Sequence, residues 1–258
     1  MGGLGLAVRG KSLDGSLNSA TLEFYQVSYS IGDNLILDDL NLRIQPGRTL
    51  VLLGRSGSGK TTALKMLNGL LFPTSGSVWV EHRATTDWDL IELRRSIGYV
   101  IQDVGLFPHF TVGENIGLVP RLKGWTSERI ASRVADLLDQ VGLEPGKFRD
   151  RYPRQLSGGQ RQRVGVARAL AAEPKLLLFD EPFGALDPVT RVELQDQFLE
   201  LRDRVKKTSI FVTHDVREAL RLGTEIALLH RGRLEVLITP AEFLNSTGPE
   251  ARAFLSTL

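Results

Sequence analysis

A chain of 258 residues, 42% hydrophobic and 24% charged, has the balance of a folded protein with a sizeable core, in one large domain or two small ones. Its net charge of +2 is too small to argue for nucleic acid as a partner by bulk electrostatics. The absence of cysteine excludes disulfides, thiolate zinc sites and cysteine nucleophiles, and His82, His109, His214 and His230 lack metal-ligand spacing.

In chain order, MGGLGLAVRGKSLDGSLNSA has a short, glycine-rich apolar part broken by Arg9 and Lys11. That is not a secretory signal, and residues 1–20 read as a mobile tail. No apolar run reaches the ~20 residues that a membrane-spanning helix needs. The expectation is a soluble, cytoplasmic protein. TLEFYQVSYSI (21–31) alternates and is rich in β-formers, so it reads as a strand. DNLILDDLNLRI (33–44) continues in the same character, and Pro46-Gly47 makes a turn. TLVLL (49–53) is continuously apolar, as in a strand buried on both faces. The helix expected after it places Ala63, Met66, Leu67 and Leu70 on one face.

The middle changes character. SERIASRVADLLDQVGL (127–143) spaces Ile130, Val134, Leu137, Leu138 and Val141 helically, with Ser127 as the expected N-cap and Gly142 past the last turn. It reads as part of a helical insert spanning about residues 103–172. KLLLFDEP (175–182) and TSIFVTHD (208–215) read as further buried strands, separated and followed by helices over 189–205 and 215–223. Alternating strands and helices argue for an α/β fold: a parallel sheet with helices on its faces.

Between the TLVLL strand and its helix lies LLGRSGSGKTT (52–62). Gly54, Arg55, Ser56, Gly57, Ser58, Gly59, Lys60 and Thr61 fit the phosphate-binding pattern G-x-x-x-x-G-K-[ST], and Thr62 comes next. Glycines let successive N–H groups turn inward, and the helix adds a partial charge of about +0.5 at its start. Lys60 is expected on the β- and γ-phosphates and the Thr61 hydroxyl on Mg²⁺. Hydrogen bonds to charged groups contribute roughly 1.5–3 kcal/mol each, which favours a triphosphate over a neutral ligand. The LLLFDEP run ends in two acids. Asp180 is expected to hold Mg²⁺ and Glu181 to activate the attacking water.

LSGGQRQRVGVARAL (156–170) completes a set of motifs in order. With them the chain resembles the ATP-binding cassette (ABC) ATPases over nearly all of residues 21–240. The resemblance implies a P-loop NTPase core, an antiparallel β-subdomain and the inserted α-helical subdomain, with 241–258 as a C-terminal helical extension. It makes Leu156 and the exposed-amide run Ser157, Gly158, Gly159 and Gln160 the signature motif, which completes the ATP site of a second copy in a head-to-tail dimer. Gln102 in GYVIQD is similar to the residue that contacts Mg²⁺ and the attacking water. Ala185, Leu186 and Asp187 match the loop that links the two copies, and His214 matches the switch histidine on the γ-phosphate. The family's adenine-stacking aromatic falls at Ile31, with Tyr29 two residues earlier as the alternative.

The resemblance further implies docking on separate transmembrane permease subunits, supplied by a solute-binding protein, at the cytoplasmic membrane face. Leu106, Phe107 and Phe110 either form the docking surface or pack within the insert. GLFPHFTVGENIGLVPRLKGW and RRSIGYVIQD are most similar to importers of quaternary ammonium osmoprotectants such as glycine betaine, choline or carnitine. Importers of amino acids, sulfonates or phosphate and cofactor-assembly ATPases stay open as alternatives. Chromosome-organising members are excluded, because Gln102 and Ser157 stand only 55 residues apart. Many osmoprotectant members carry C-terminal regulatory domains, for which the sequence to Leu258 leaves no room. Ionic-strength sensing is therefore not expected of this subunit.

Overall fold

The structure, a computed structural model, describes residues 21–102, 104–184 and 186–258. The tail expected over 1–20 and Ala185 of the linking loop lie outside the described residues. In chain order the elements are β1 (Leu22–Ile31), β2 (Asn34–Ile44), β3 (Thr49–Leu53), α1 (Lys60–Leu67), β4 (Ser75–Val80), β5 (Arg83–Ala84) and α2 (Leu90–Ser96). Then come β6 (Ile97–Val100), α3 (Val112–Leu122), α4 (Ser127–Gln140), α5 (Pro145–Phe148), a 3₁₀ turn (Pro153–Gln155) and α6 (Gly158–Leu170). The chain ends through β7 (Leu176–Asp180), α7 (Pro188–Val205), β8 (Thr208–Thr213), α8 (Val216–Leu222), β9 (Glu225–His230), β10 (Arg233–Ile238), α9 (Pro240–Phe243) and α10 (Pro249–Leu255).

Two sheets form. The larger has order β10-β9-β3-β8-β7-β6 and is parallel except for the β9–β10 hairpin at one edge. The smaller, β2-β1-β4-β5, is antiparallel throughout. Strand side chains point alternately to opposite faces, and here each face has its own core. Val51, Leu53, Leu177, Phe179 and Phe211 join one core with α6, α7 and α8. Leu50, Leu52, Leu176, Leu178, Ile210 and Val212 join another, with α1 and the antiparallel sheet. This two-sided burial explains why β3 and β7 read as unbroken apolar runs.

Two local expectations are corrected. Thr126, not Ser127, caps α4: its hydroxyl accepts the Arg129 N–H at 3.3 Å from an extended backbone. Leu70 does not share the α1 face with Ala63, Met66 and Leu67. The helix ends at Leu67, Gly69 takes φ +64°, and Leu70 lies beyond that turn, exposed. Gly142 comes after α4 with φ +69°, as a glycine past a helix end should.

Candidate functional site

Register builds the site. Leu53 of β3 pairs with Thr213 of β8, Val212 of β8 with Asp180 of β7, and Phe179 of β7 with Val100 of β6. The four strands therefore end together. Each leads into a motif: β3 into Gly54, β8 into His214, β7 into Glu181, and β6, two residues on, into Gln102. Loops at the carboxyl ends of parallel strands are where open α/β sheets bind ligands.

The glycine loop then turns into α1. Gly59 sits at φ +97°, and a Cβ there would meet Leu37 Cδ2 at 2.6 Å, so only glycine fits. As N-cap it offers no side-chain bond to the first-turn amides. Those N–H groups are left facing outward with the positive end of the helix dipole. Lys60 is only 5% exposed. Its Nζ donates to the carbonyls of Gly54 at 2.7 Å and Arg55 at 2.8 Å. Burial lowers its pKa, opposed by the nearby Glu181 and Asp180 charges. Ser58 Oγ is buried with no hydrogen-bond partner among the described residues. Arg55 and Ser56 are exposed beside it, and Thr62 stands next to Thr61 on the first turn of α1. Arg55 is met by Glu250 of α10, at 2.6 Å from Nε, and His230 Nδ1 lies 3.5 Å from the same carboxylate.

Across the loop, Thr61 Oγ1 donates to Asp180 Oδ1 at 2.9 Å. Tyr99 of β6 donates to Asp180 Oδ2 at a longer 3.4 Å. Burial raises the pKa of Asp180 against the pull of the Thr61 bond. Tyr99 is a site residue that sequence reasoning missed; the signal was its place three residues before Gln102 in GYVIQD. Glu181 has φ +46°, a sparsely populated conformation for a residue with a Cβ, and its N–H donates to Val212 O at 3.0 Å. Its Oε2 lies 3.2 Å from His214 Nδ1, and the His214 side chain is 60% exposed. Gln102 is exposed in the turn after β6.

Ser157, Gly158, Gly159 and Gln160 form a second group at the start of α6. Ser157 Oγ accepts the Gln160 N–H at 3.2 Å, and Gln160 Oε1 accepts the Ser157 N–H at 3.0 Å, a complete capping box. Gly159 abuts Thr190 of α7: a Cβ there would meet Thr190 Cγ2 at 2.7 Å. Asp187 caps α7, accepting the Thr190 N–H at 3.0 Å, and hydrogen bonding from the Thr190 side chain and then from its backbone N–H lowers its pKa. The helix that follows Glu181 in the chain, α7, thus packs against the start of the signature helix α6.

A model of the family described as ABC transporter matches residues 37–184. The chain belongs to the ABC transporter family. Among its relatives, the cassette is 50% identical over 208 residues to the osmoprotectant import ATP-binding protein OsmV of Salmonella typhimurium, covering 81% of this chain and 54% of the relative. It is 46% identical over 230 residues to the choline transport ATP-binding protein OpuBA of Bacillus subtilis, covering 89% and 60%. The chain thus spans little more than half the length of the relatives it matches. A dimeric structure of a post-hydrolysis state of the ATP-binding cassette MJ0796, bound to ADP and Pi, superposes with a TM-score of 0.75 at 35% identity, covering 85% of this chain and 98% of that one. The P-loop α/β fold with its antiparallel sheet is therefore the ABC cassette fold.

Two open positions in this cassette have distinct surroundings. Tyr29 pairs with Leu37 but Ser30 already with Leu35, a register break between Tyr29 and Ile31. Tyr29 packs against the core of the antiparallel sheet, whereas Ile31 is 64% exposed at the hairpin end. In the insert, Leu106 packs on the core. Phe107 stays 42% exposed, clustered with His109 and Phe110. The buried Asn115 holds that loop: it accepts the Phe107 N–H at 2.8 Å and donates to the carbonyls of Phe107, Phe110 and Thr111.

Proposed function

We propose that this chain is the ATP-hydrolysing subunit of an importer for quaternary ammonium osmoprotectants, working as a head-to-tail pair on separate permease subunits. The observation that carries the reading is the shared ending of β3, β8, β7 and β6, which gathers Lys60, Thr61, Asp180, Glu181 and His214 around one loop. In this reading the uncapped amides of α1 and the Lys60 charge take the phosphates of ATP. Among the described residues Lys60 has only carbonyl partners to give up, and Gly57, at φ +79°, faces open space where a phosphate can approach.

The residues fit Mg²⁺. Thr61 Oγ1 and Asp180 Oδ1 are hard oxygen donors already side by side, and Gln102 stands at the neighbouring strand end. When bound, the ion would neutralise charge on the phosphate oxygens. Glu181 acts as general base toward the attacking water, and His214 donates to the γ-phosphate. The Glu181–His214 contact supports this by holding both side chains at one place. Ser157, Gly158, Gly159 and Gln160 present amides to the ATP held by the other copy. Exposed Val189 and Val192, beside Asp187 on α7, support a surface buried by that copy. Ile31 is the adenine platform.

The Phe107–His109–Phe110 cluster is the permease contact, where an apolar side chain gains from a partner surface. Among the described residues no helix is long and apolar enough to cross a membrane. The relatives, named as import and transport ATP-binding proteins, support a peripheral place on the cytoplasmic face, with a solute-binding protein acting through the permease. The names of the relatives support the solute class. The test is to co-reconstitute the chain with the permease encoded beside its gene and assay Mg²⁺-dependent ATP hydrolysis. Stimulation by glycine betaine, choline or carnitine is expected. Stimulation only by sulfate, phosphate or a polar amino acid would overturn the solute class, and no hydrolysis would overturn the enzyme.

A further inference from the structure

Glu218 of α8 is a carboxylate in the interior, 5% exposed, with no part in the hydrolysis proposed for Glu181 and His214. Its Oε2 accepts the Thr213 hydroxyl at 2.6 Å. Thr213 ends β8, and its Oγ1 accepts the Asp215 N–H at 3.0 Å. These two residues flank His214. The other oxygen, Oε1, accepts Gln195 Nε2 of α7 at 3.3 Å, and Gln195 Oε1 in turn accepts Arg221 Nη1 at 3.0 Å. We propose that Glu218 is a positioning residue for hydrolysis, fixing the turn that carries His214 and coupling it to α7, the helix capped by Asp187.

Two features favour this over a packing role. Among the described residues both hydrogen-bond partners of Glu218 donate, so the site is built for an acceptor-only carboxylate, and an apolar residue would fill the gap between α8 and β8 at less desolvation cost. Burial disfavours the charged form of Glu218, so we assign its carboxylate to fixing conformation rather than to adding stability. The ring of His214 is mostly exposed, so its backbone must be held from behind. The link to α7 is also doubled. Arg191 Nη1 lies 3.7 Å from Asp215 Oδ2, and Arg191 Nη2 donates to Leu186 O at 3.3 Å, next to Asp187. A shift of the linking loop, which the second copy would touch, thus reaches both residues beside His214.

The inference rests on the proposed role of His214. Its test uses the full chain and compares Glu218→Gln, Thr213→Val, Thr213→Ser and His214→Ala. A glutamine cannot accept from both Thr213 and Gln195. Glu218→Gln and Thr213→Val should each lower kcat about 10- to 100-fold, with the Kd for ATP and the Tm nearly unchanged. Thr213→Ser keeps the hydroxyl and should stay within about threefold of the parent. The Glu218→Gln/Thr213→Val double variant should be no slower than either single, since both break one chain of bonds. Full activity in folded Glu218→Gln beside an inactive His214→Ala would overturn this inference alone. So would losses that multiply in the double variant, or a Thr213→Ser as slow as Thr213→Val. An active His214→Ala would overturn the switch role and this inference with it. If Glu218→Gln does not fold, the Thr213 pair decides.

Discussion

Thr61 Oγ1 donates to Asp180 Oδ1 at 2.9 Å, joining the first turn of α1 to the end of β7 across the glycine loop. The carboxylate pays for this position through burial, which raises its pKa. A raised acid binds more protons folded than unfolded between its two values, so the folded state loses stability as pH rises through that window. Asp180→Asn should therefore melt higher than the parent at pH 7–8. The gain should shrink to almost nothing by about pH 3, below the free-aspartate value of about 3.9, where the parent is protonated in both states. Hydrolysis should fall about 100-fold, because the amide is a poor metal ligand. Calorimetry across pH reads the first effect; equal Tm gaps at both pH values would contradict it.

Lys60 reverses the sign. Burial lowers its pKa, so the unfolded chain binds more protons and the parent gains stability as pH climbs toward the free-lysine value of about 10.4. Lys60→Met should raise Tm in the absence of nucleotide near pH 7, with a smaller gain by pH 10. It should also weaken ATP binding at least about 10-fold, since one charge-assisted contact is lost. Unchanged affinity in a nucleotide titration would show that the loop is not the phosphate site.

The glycine loop, the DE pair and the buried strands were legible because each signal is local. LVLL (50–53) is apolar at every position because both sheet faces are covered, and Gly59 is glycine because Leu37 leaves no room. The β4–β5 hairpin, α2 and the β9–β10 edge were not legible. SGSVWV pairs with the distant β1, and RLEVLI pairs with its hairpin neighbour β9, which is itself placed by the distant β3. Ile31 and Tyr29 were indistinguishable by alternation, because the break of register between them is a property of the β1–β2 pair. The Thr213–Glu218–Gln195 chain was hidden for a similar reason. It joins a strand end, the next helix and an earlier helix, and only the fold places the three together.

Ile31 carries a sharper expectation in the fold than in the sequence. It is exposed at the hairpin end while Tyr29 is packed. Ile31→Trp should tighten ATP about fivefold, from roughly 1 kcal/mol of added base stacking. Tyr29→Ala should lower Tm and leave affinity within about twofold, since it removes packing and no nucleotide contact. A Tyr29→Ala that loses binding while Ile31→Trp changes nothing would move the adenine to Tyr29.

Glu181→Gln keeps size and loses the proposed base. The strained backbone at φ +46° and the Val212 bond do not depend on the charge, so the turn should survive the change. ATP should bind as in the parent, hydrolysis should fall about 100-fold or more, and the ATP-bound pair should accumulate. Size-exclusion chromatography with ATP and Mg²⁺ reads it directly. A variant that remains monomeric there would count against the two-copy site.

Ser157 tests whether that site is shared. It is exposed at the start of α6, in a group apart from the residues that touch Lys60. Ser157→Arg should crowd the ATP held by the other copy. It also removes an N-cap, which costs about 0.5–2 kcal/mol, so Ser157→Ala serves as the control that loses the cap without the bulk. Alone, Ser157→Arg and Lys60→Ala should each be inactive. In a head-to-tail pair made of one of each, the first chain supplies an intact Lys60 and the second an intact Ser157 to the same site. Half of the randomly mixed dimers are of this kind, with one competent site of two, so independent sites should return about a quarter of the parent activity. A site built within one chain gives no such rescue, because each chain carries its own defect. Hydrolysis in the mixture no higher than the sum of its parts would rule out the shared site.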